Sequence, residues 1–293
     1  MVRTCMDIDH AILTRFNLPT LGAESVVRAK DGWLRTRIAL FEKYCLPSVL
    51  AQSTQNFSWI IYFDPESPDW LKDRIQTLRA KGEFEPIFRA SVSSAELVHD
   101  LRRVTGARGG TLITSNLDND DSLAVNFVER LQSAERSAPR EAIYIAQGLI
   151  KSPTGLFRRT DRHNAFCSVR EGWDDPKTCW VDWHDLLSRH FPVRQLSGAP
   201  GWLQVVHGTN VSNRIHGSLT GAASYRQLFP ELLDDVPTPQ RSDILRDRLV
   251  TAPARAVADA LRLGGKRLLR ASLGKDGLDR VKVALAGIVG SRG

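Results

Sequence analysis

An open, mainly parallel α/β sheet with helices on both faces is the fold class predicted by this 293-residue sequence. Three observations predict it. Apolar runs of strand length alternate with segments whose apolar residues recur at helical spacing, in the order βαβαβαβαβ. Charged residues stand at the C-terminal ends of those runs, where ligands collect in such sheets. After Pro237-Thr238-Pro239 the composition shifts, so we expect an α/β domain over residues 1–236 and a basic helical extension over 237–293.

His10-Ala11-Ile12-Leu13-Thr14-Arg15-Phe16 is the first expected strand, and a polar loop with Pro19 and Gly22 follows to residue 32. A helix begins near Trp33, with Leu34, Ile38 and Phe41 close to 3.6 spacing. Pro47 marks a break or a fresh start, because proline suits a first turn and not an interior. Phe57-Ser58-Trp59-Ile60-Ile61-Tyr62-Phe63 is the second strand and ends at Asp64. Ser67 as N-cap and Pro68 at the first helical position open the next helix. Residues 83–88 form the third strand, and Ser93 with Glu96 makes a capping box for a helix reaching about Val104. Thr111-Leu112-Ile113-Thr114 is a buried strand, and Ser122 to Val128 reads as the helix after it. Ala142-Ile143-Tyr144-Ile145-Ala146 is a further strand.

Residues 151–213 are less regular and hold Trp173-Asp174-Asp175 and Trp180-Val181-Asp182-Trp183-His184-Asp185. Gly201-Trp202-Leu203-Gln204-Val205-Val206-His207 reads as the last strand. Residues 254–270 are helical, with Val257, Leu261 and Leu268 on one face and Arg255, Arg262 and Lys266 on another. Gly264-Gly265 interrupts that helix, and a second covers 278–289.

Leu117-Asp118-Asn119-Asp120-Asp121 carries most of the chemistry, with three carboxylates in four residues at the end of a buried strand. Like charges so close repel unless something positive sits among them, most often a hard divalent cation. Mg²⁺ or Mn²⁺ on one or two carboxylates commonly takes a diphosphate as its remaining ligands, which points to a nucleoside-diphosphate substrate. The competing reading is an exposed acidic turn that caps the following helix. An EF-hand needs glycine where Leu123 stands, and neither a G-x-G-x-x-G nor a Walker loop occurs.

Apolar residues make up 42% and charged residues 25%, and no apolar run nears the roughly 20 residues of a membrane span. Residues 1–16 lack the apolar core of a signal peptide, so a soluble, cytoplasmic protein is expected. Cys5, Cys45, Cys167 and Cys179 show no C-x-x-C spacing, which argues against a zinc site or disulfide framework. The net charge of +7 is concentrated at the C-terminus with no basic stripe interleaved with aromatics, so no nucleic-acid partner is expected. The basic helices over 254–289 suit either packing on the domain or peripheral contact with anionic lipid at the inner membrane face.

Ser48-Val49-Leu50-Ala51-Gln52, then Phe57-Ser58-Trp59-Ile60-Ile61 and Asp64, resembles the opening of GT-A-fold glycosyltransferases, whose DxD motif Leu117–Asp121 also resembles. More closely, Thr14-Arg15-Phe16-Asn17, the stretch from Leu40-Phe41-Glu42 through Tyr44-Cys45-Leu46-Pro47-Ser48-Val49, and Leu117–Asp121 are similar to a bacterial family described as rhamnosyltransferases. The similarity spans roughly residues 10–215 and leaves out the tail. It implies a GT-A-like (Rossmann-like) fold and transfer of a sugar, rhamnose among the candidates, from a nucleoside-diphosphate sugar to a glycan or lipid-linked acceptor. Thr14 and Arg15 would line the nucleotide cleft, Asp64 would contact the base or ribose, and Asp118 with Asn119 would hold the sugar nucleotide. Asp120, Asp118 and the late His207 would hold Mn²⁺ or Mg²⁺. Where such enzymes carry an acidic pair this chain reads Val181-Asp182.

The leaving diphosphate gains charge in the transition state, and a metal on Asp120 with Arg15 or His207 nearby would stabilise it. Asp182, then His184 and Asp185, are the candidate bases for the acceptor hydroxyl in an inverting reaction. The alternatives are a non-catalytic GT-A-like module that binds a sugar nucleotide or glycan, and a nucleotidyltransferase that releases pyrophosphate.

Overall fold

A computed structural model of the chain describes residues 8–19, 31–80, 84–207 and 215–257. Its strands are β1 (Ile8–Arg15), β2 (Ser58–Phe63), β3 (Glu85–Phe88), β4 (Thr111–Asn116), β5 (Ser122–Leu123), β6 (Glu141–Ile145), β7 (Gln147–Ser152), β8 (Gly155–Thr160), β9 (Ser168–Glu171), β10 (Val193–Leu196), β11 (Trp202–Val205) and β12 (Ser218–Thr220). A seven-stranded sheet has the order β10-β6-β9-β4-β1-β2-β3. Its pairs are parallel except where β9 lies antiparallel between β4 and β6. The expected mainly parallel α/β sheet is therefore present. A five-stranded sheet, β12-β8-β7-β11-β5, stands beside it and was not foreseen. Residues 151–213, expected to be less regular, supply β8 to β11, and β12 follows the strand expected to be last.

Alternation along β1 and β2 explains why helices cover both faces of the large sheet. Ile12, Trp59, Ile61 and Phe63 point to one core with Leu34, Ile38, Phe41, Leu71, Ile75 and Leu78. Ala11, Leu13, Ile60 and Tyr62 point to the other with Leu97, Leu101 and Leu187. Helix α1 (Asp31–Leu40) continues through a π-helical turn, Phe41–Cys45, into α2 (Leu46–Leu50). Pro47 sits in the first turn of α2, where its missing N–H costs least. Thr14 is fully buried and accepts a 3.0 Å hydrogen bond from the Trp59 indole, which satisfies that ring's one polar group.

Helix α3 (Asp69–Arg79) starts one residue later than expected, with Pro68 as N-cap. The Ser67 hydroxyl is used elsewhere. It donates to the Asp64 carbonyl at 2.7 Å and accepts from Asn17 at 2.9 Å. Helix α4 (Ser94–Thr105) has the expected Ser93–Glu96 capping box and ends on Gly106 at φ 76°. Its buried Asp100 accepts two hydrogen bonds from Arg89 at 2.8 and 3.0 Å and one from Tyr62 Oη at 3.1 Å, tying helix to sheet. Helix α5 (Phe127–Ser133) begins well after Ser122, because Ser122 and Leu123 pair with β11. Ser48 Oγ accepts from the Leu123 N–H at 3.2 Å, and Ser122 Oγ donates to the Tyr44 carbonyl at 2.9 Å. The helix expected over 122–128 is thus corrected: tertiary hydrogen bonds outcompete local propensity there.

Two packing features support the site. Gly148 lies under the Trp202 indole, where a Cβ would stand 2.0 Å from a ring atom, so only glycine admits that ring. Trp202 then stacks on Phe166 with centroids 5.0 Å apart and 10° between planes. A buried chain also crosses β1, β4 and β9. His10 Nε2 meets Ser115 Oγ at 2.9 Å, and Ser115 Oγ meets Ser168 Oγ at 2.7 Å.

The start of the C-terminal extension is helical, with α6 (Arg241–Arg246) running on through Asp247–Thr251 to residue 257. It docks on β12. Asp247 is buried and accepts from the Leu219 N–H at 2.7 Å and from Arg255 at 2.7 Å, and Arg255 also donates to the Gly217 carbonyl at 2.9 Å. The helices expected beyond residue 257, and most of the loop expected over 17–32, lie outside the described residues.

Candidate functional site

The acidic motif bridges the two sheets. β4 ends at Asn116, Leu117 N–H continues the ladder by donating to Leu13 O at 3.0 Å, and β5 begins at Ser122. The loop between is held at the carboxyl edge of the large sheet, beside the end of β1. Asn119 is buried and donates to the carbonyls of Arg15 at 3.1 Å and Phe16 at 2.7 Å. Gln52 clamps the exit. Its side-chain nitrogen donates to Ser48 O and Ala124 O, both at 2.9 Å, and its oxygen accepts from the Val128 N–H at 3.1 Å. Ser48 and Gln52, two polar residues of the Ser48–Gln52 segment, thus position the acids from behind.

The three carboxylates take three different roles. Asp121 turns into the interior and accepts from the Val205 N–H at 2.8 Å. Burial, then the charges of Asp120 and Asp118, push its carboxyl well above the usual range. Asp120 forms an ion pair with Arg37 and meets His207 Nε2 at 3.1 Å. Burial opposes its ionisation, but the His207 hydrogen bond and the Arg37 charge outweigh burial and hold its carboxyl below the usual range. Asp118 faces a cavity of about 650 Å³. Desolvation by the protein atoms around it, then the Asp120 charge, raise its pKa, while Asn116, His184 and Arg15 act the other way.

That cavity gathers Arg15, Asp118, Asp182 and His184 from the expected set. The Arg15 guanidinium lies 4.0 Å from the centroid of the Trp180 ring, whose Nε1 donates to Asn116 Oδ1 at 2.8 Å. Both oxygens of Asp182 are engaged, one by His190 Nε2 at 2.9 Å and one by the Trp183 N–H at 2.8 Å. The His190 contact, then the Trp183 amide, lower its pKa. His184 opens the 3₁₀ helix His184–Arg189, and its Nδ1 lies 2.6 Å from the His163 carbonyl. A carbonyl only accepts, so Nδ1 carries a proton, and in the neutral ring Nε2 holds the lone pair. Trp183 stands at the rim, 75% exposed. Thr14, Asp64 and Asp185 do not line this cavity. Thr14 is within the sheet, Asp64 accepts from the Glu66 N–H at 2.8 Å in the turn after β2, and Asp185 is exposed on the 3₁₀ helix.

Arg159, Asp161, Gln204 and His216 also line the cavity and were missed from sequence. Arg159 and Asp161, an ion pair at 3.2 Å, lie on and just after β8, whose hairpin with β7 spans Pro153-Thr154. That turn signal between two apolar runs was the available clue. Arg37 had none, because nothing local links it to Asp120.

The expected cation on Asp118, Asp120 and His207 meets a donor set that does not fit it. Asp120 Oδ2 is already shared by the Arg37 guanidinium and His207 Nε2, and Asp121 points away into the interior. Among the described residues no group of three or more His, Cys, Asp or Glu side chains is arranged to hold a metal ion.

Among solved structures, S. aureus TarS is similar at 11% identity over 69% of this chain, with a TM-score of 0.41. A complex of TarS 1–349 with UDP is similar at 12% identity over 68% of this chain, TM-score 0.38. The inositol-1-phosphate CTP transferase from T. maritima is similar at 9% identity over 79% of this chain and 98% of that one, TM-score 0.38. The chain spans 37% of the length of TarS and 60% of its 1–349 fragment. It matches no curated protein. The profile of the family described as "putative rhamnosyl transferase" matches residues 9–219, from β1 into β12, and so takes in both sheets and every residue that lines the cavity. On that match, which covers well over half of its length, this chain belongs to the family described as putative rhamnosyl transferase.

Proposed function

We propose that this protein transfers a sugar, rhamnose by the family's description, from a nucleoside-diphosphate sugar to a glycan or lipid-linked hydroxyl, with inversion at the anomeric carbon. One observation carries the reading: Asp118, Arg15 and His184, from three separate segments, face one cavity at the carboxyl edge of the large sheet. Arg15 and Arg159 are the cations best placed to meet the diphosphate as it gains charge. His184 is the base of choice. Its Nε2 holds the lone pair, whereas both Asp182 oxygens are committed and its lowered pKa makes it a poor proton acceptor. Asp118 would orient the donor's ribose or sugar hydroxyls.

The test is product analysis. The wild-type protein, given nucleoside-diphosphate sugars, should release the nucleoside diphosphate, and Asp118→Ala should lower that release at least about a hundredfold. Equal and negligible release from both would favour a binding module, and pyrophosphate release would favour a nucleotidyltransferase.

Peripheral contact with anionic lipid is part of the same reading. Leu245, Leu249, Val250 and Val257 are exposed on the C-terminal helical segment, next to Arg246 and Arg248. No described helix is long and apolar enough to cross a membrane. Co-sedimentation with phosphatidylglycerol vesicles checks the contact. Binding that persists when Leu245 and Leu249 are both changed to serine would argue against this surface.

A further inference from the structure

We propose that Arg37, and not a divalent cation, supplies the positive charge that Asp120 requires, so that nucleoside diphosphates bind this protein without metal. The inference rests on the transferase reading and deepens it. Its observation is the pairing at the acidic loop. Arg37 Nη1 donates to Asn119 Oδ1 at 3.2 Å and forms an ion pair with Asp120, with side-chain exposures of only 14% for the arginine and 7% for the aspartate. Trp33 covers the guanidinium, with its ring centroid 4.9 Å away.

A cation entering between Asp120 and His207 would have to expel that guanidinium from a nearly dry position. Removing one partner from a buried pair leaves the other uncompensated, so the exchange is opposed. The remaining acids do not form an alternative cage. Asp121 is spent on the Val205 N–H, and of the loop's acids Asp118 lines the cavity, without Asp120 or Asp121 beside it there. Mg²⁺ or Mn²⁺ needs only one or two carboxylates beside a diphosphate and water, but with Asp120 held by the guanidinium this loop has only Asp118 on the substrate space to hold it. The charge of a diphosphate there is met instead by Arg15 and Arg159, both on the cavity wall. Arg37 is in this view a positioning residue. It neutralises the loop, keeps Asn119 against the end of β1, and so leaves Asp118 aimed into the cavity.

Isothermal titration calorimetry of the full chain with UDP, GDP, dTDP, CDP and ADP, each in excess EDTA and in excess manganese chloride, tests this. We expect at least one of them to bind, with Kd changing by less than about tenfold between the two arms. Binding confined to the manganese arm, or tightened by about tenfold or more, would overturn the inference and leave the transferase reading standing. No binding in either arm would overturn the transferase reading, and this inference with it. Manganese electron paramagnetic resonance gives a readout that needs neither substrate nor turnover. Wild-type protein should leave the free-ion signal unchanged, and Arg37→Met, which frees Asp120 and His207, should quench it. Stoichiometric quenching by the wild type that Asp120→Asn abolishes would count decisively against the proposal, whether or not Arg37→Met folds.

Discussion

His184→Gln is expected to lower kcat by about a thousandfold while leaving the KM for the donor within about threefold, because general-base catalysis contributes roughly 10² to 10⁴ in rate. Glutamine fills much of the ring's volume and sets its amide nitrogen near the Nε2 position, and the 2.6 Å contact of Nδ1 with the His163 carbonyl, which it gives up, is kept in the control His184→Asn. Glutamine cannot take the acceptor's proton as it attacks. The fall in rate on the acidic side of the pH–rate profile should therefore vanish in the variant. Asp182→Asn should cost far less, since that side chain's oxygens serve the Trp183 amide and His190. A His184→Gln enzyme that keeps kcat within about tenfold of wild type would remove His184 from the base role and return it to Asp182.

Acid should unfold this protein through His10 before its surface carboxylates matter. His10 is fully enclosed, and burial, then the nearby Arg170 charge, lowers its pKa from 6.5 to about 3. Gln132 presents an amide N–H to Nδ1 at 3.4 Å, so a proton on that nitrogen would face another donor. Between pH 6.5 and about 3 the unfolded chain holds a proton at this site that the folded chain does not. Stability therefore rises with pH across that window, by at most about 1.4 kcal/mol per unit, and is fully present above it. The whole effect is on the order of 5 kcal/mol, a large part of a typical domain's stability. Urea unfolding of wild type and His10→Gln from pH 7 to 4 measures it. The variant's stability should fall less steeply with acid, and parallel curves would exclude His10 as the acid trigger.

Most of the large sheet was legible from local pattern. Ile12, Ile60 and Ile113 lie in runs of the right length, bounded by polar breaks, and each is fully buried in the expected strand. Capping chemistry was legible for the same reason: Ser93 and Glu96 are three residues apart, and their reciprocal hydrogen bonds need no distant partner. Local pattern misleads where short strands find partners far along the chain. Ser122 and Leu123 satisfy a helical pattern, yet their bonds to Tyr44, Ser48 and β11 come from elsewhere. The second sheet, of strands two to six residues long, offers too little periodicity to announce itself.

The candidate site divides along the same line. The carboxylate cluster, its place at the end of a strand, and the motifs that mark the family are written in residues a few positions apart, and the sequence alone determined them. The tertiary structure decided which acid does what. It turned Asp121 inward onto Val205, gave Asp120 to Arg37 and His207, left Asp118 to the cavity, and brought His184 to the same wall. Side-chain chemistry is a property of residue type, but charge compensation depends on which groups the folded chain brings within a few ångströms, and those come from elements far apart in sequence.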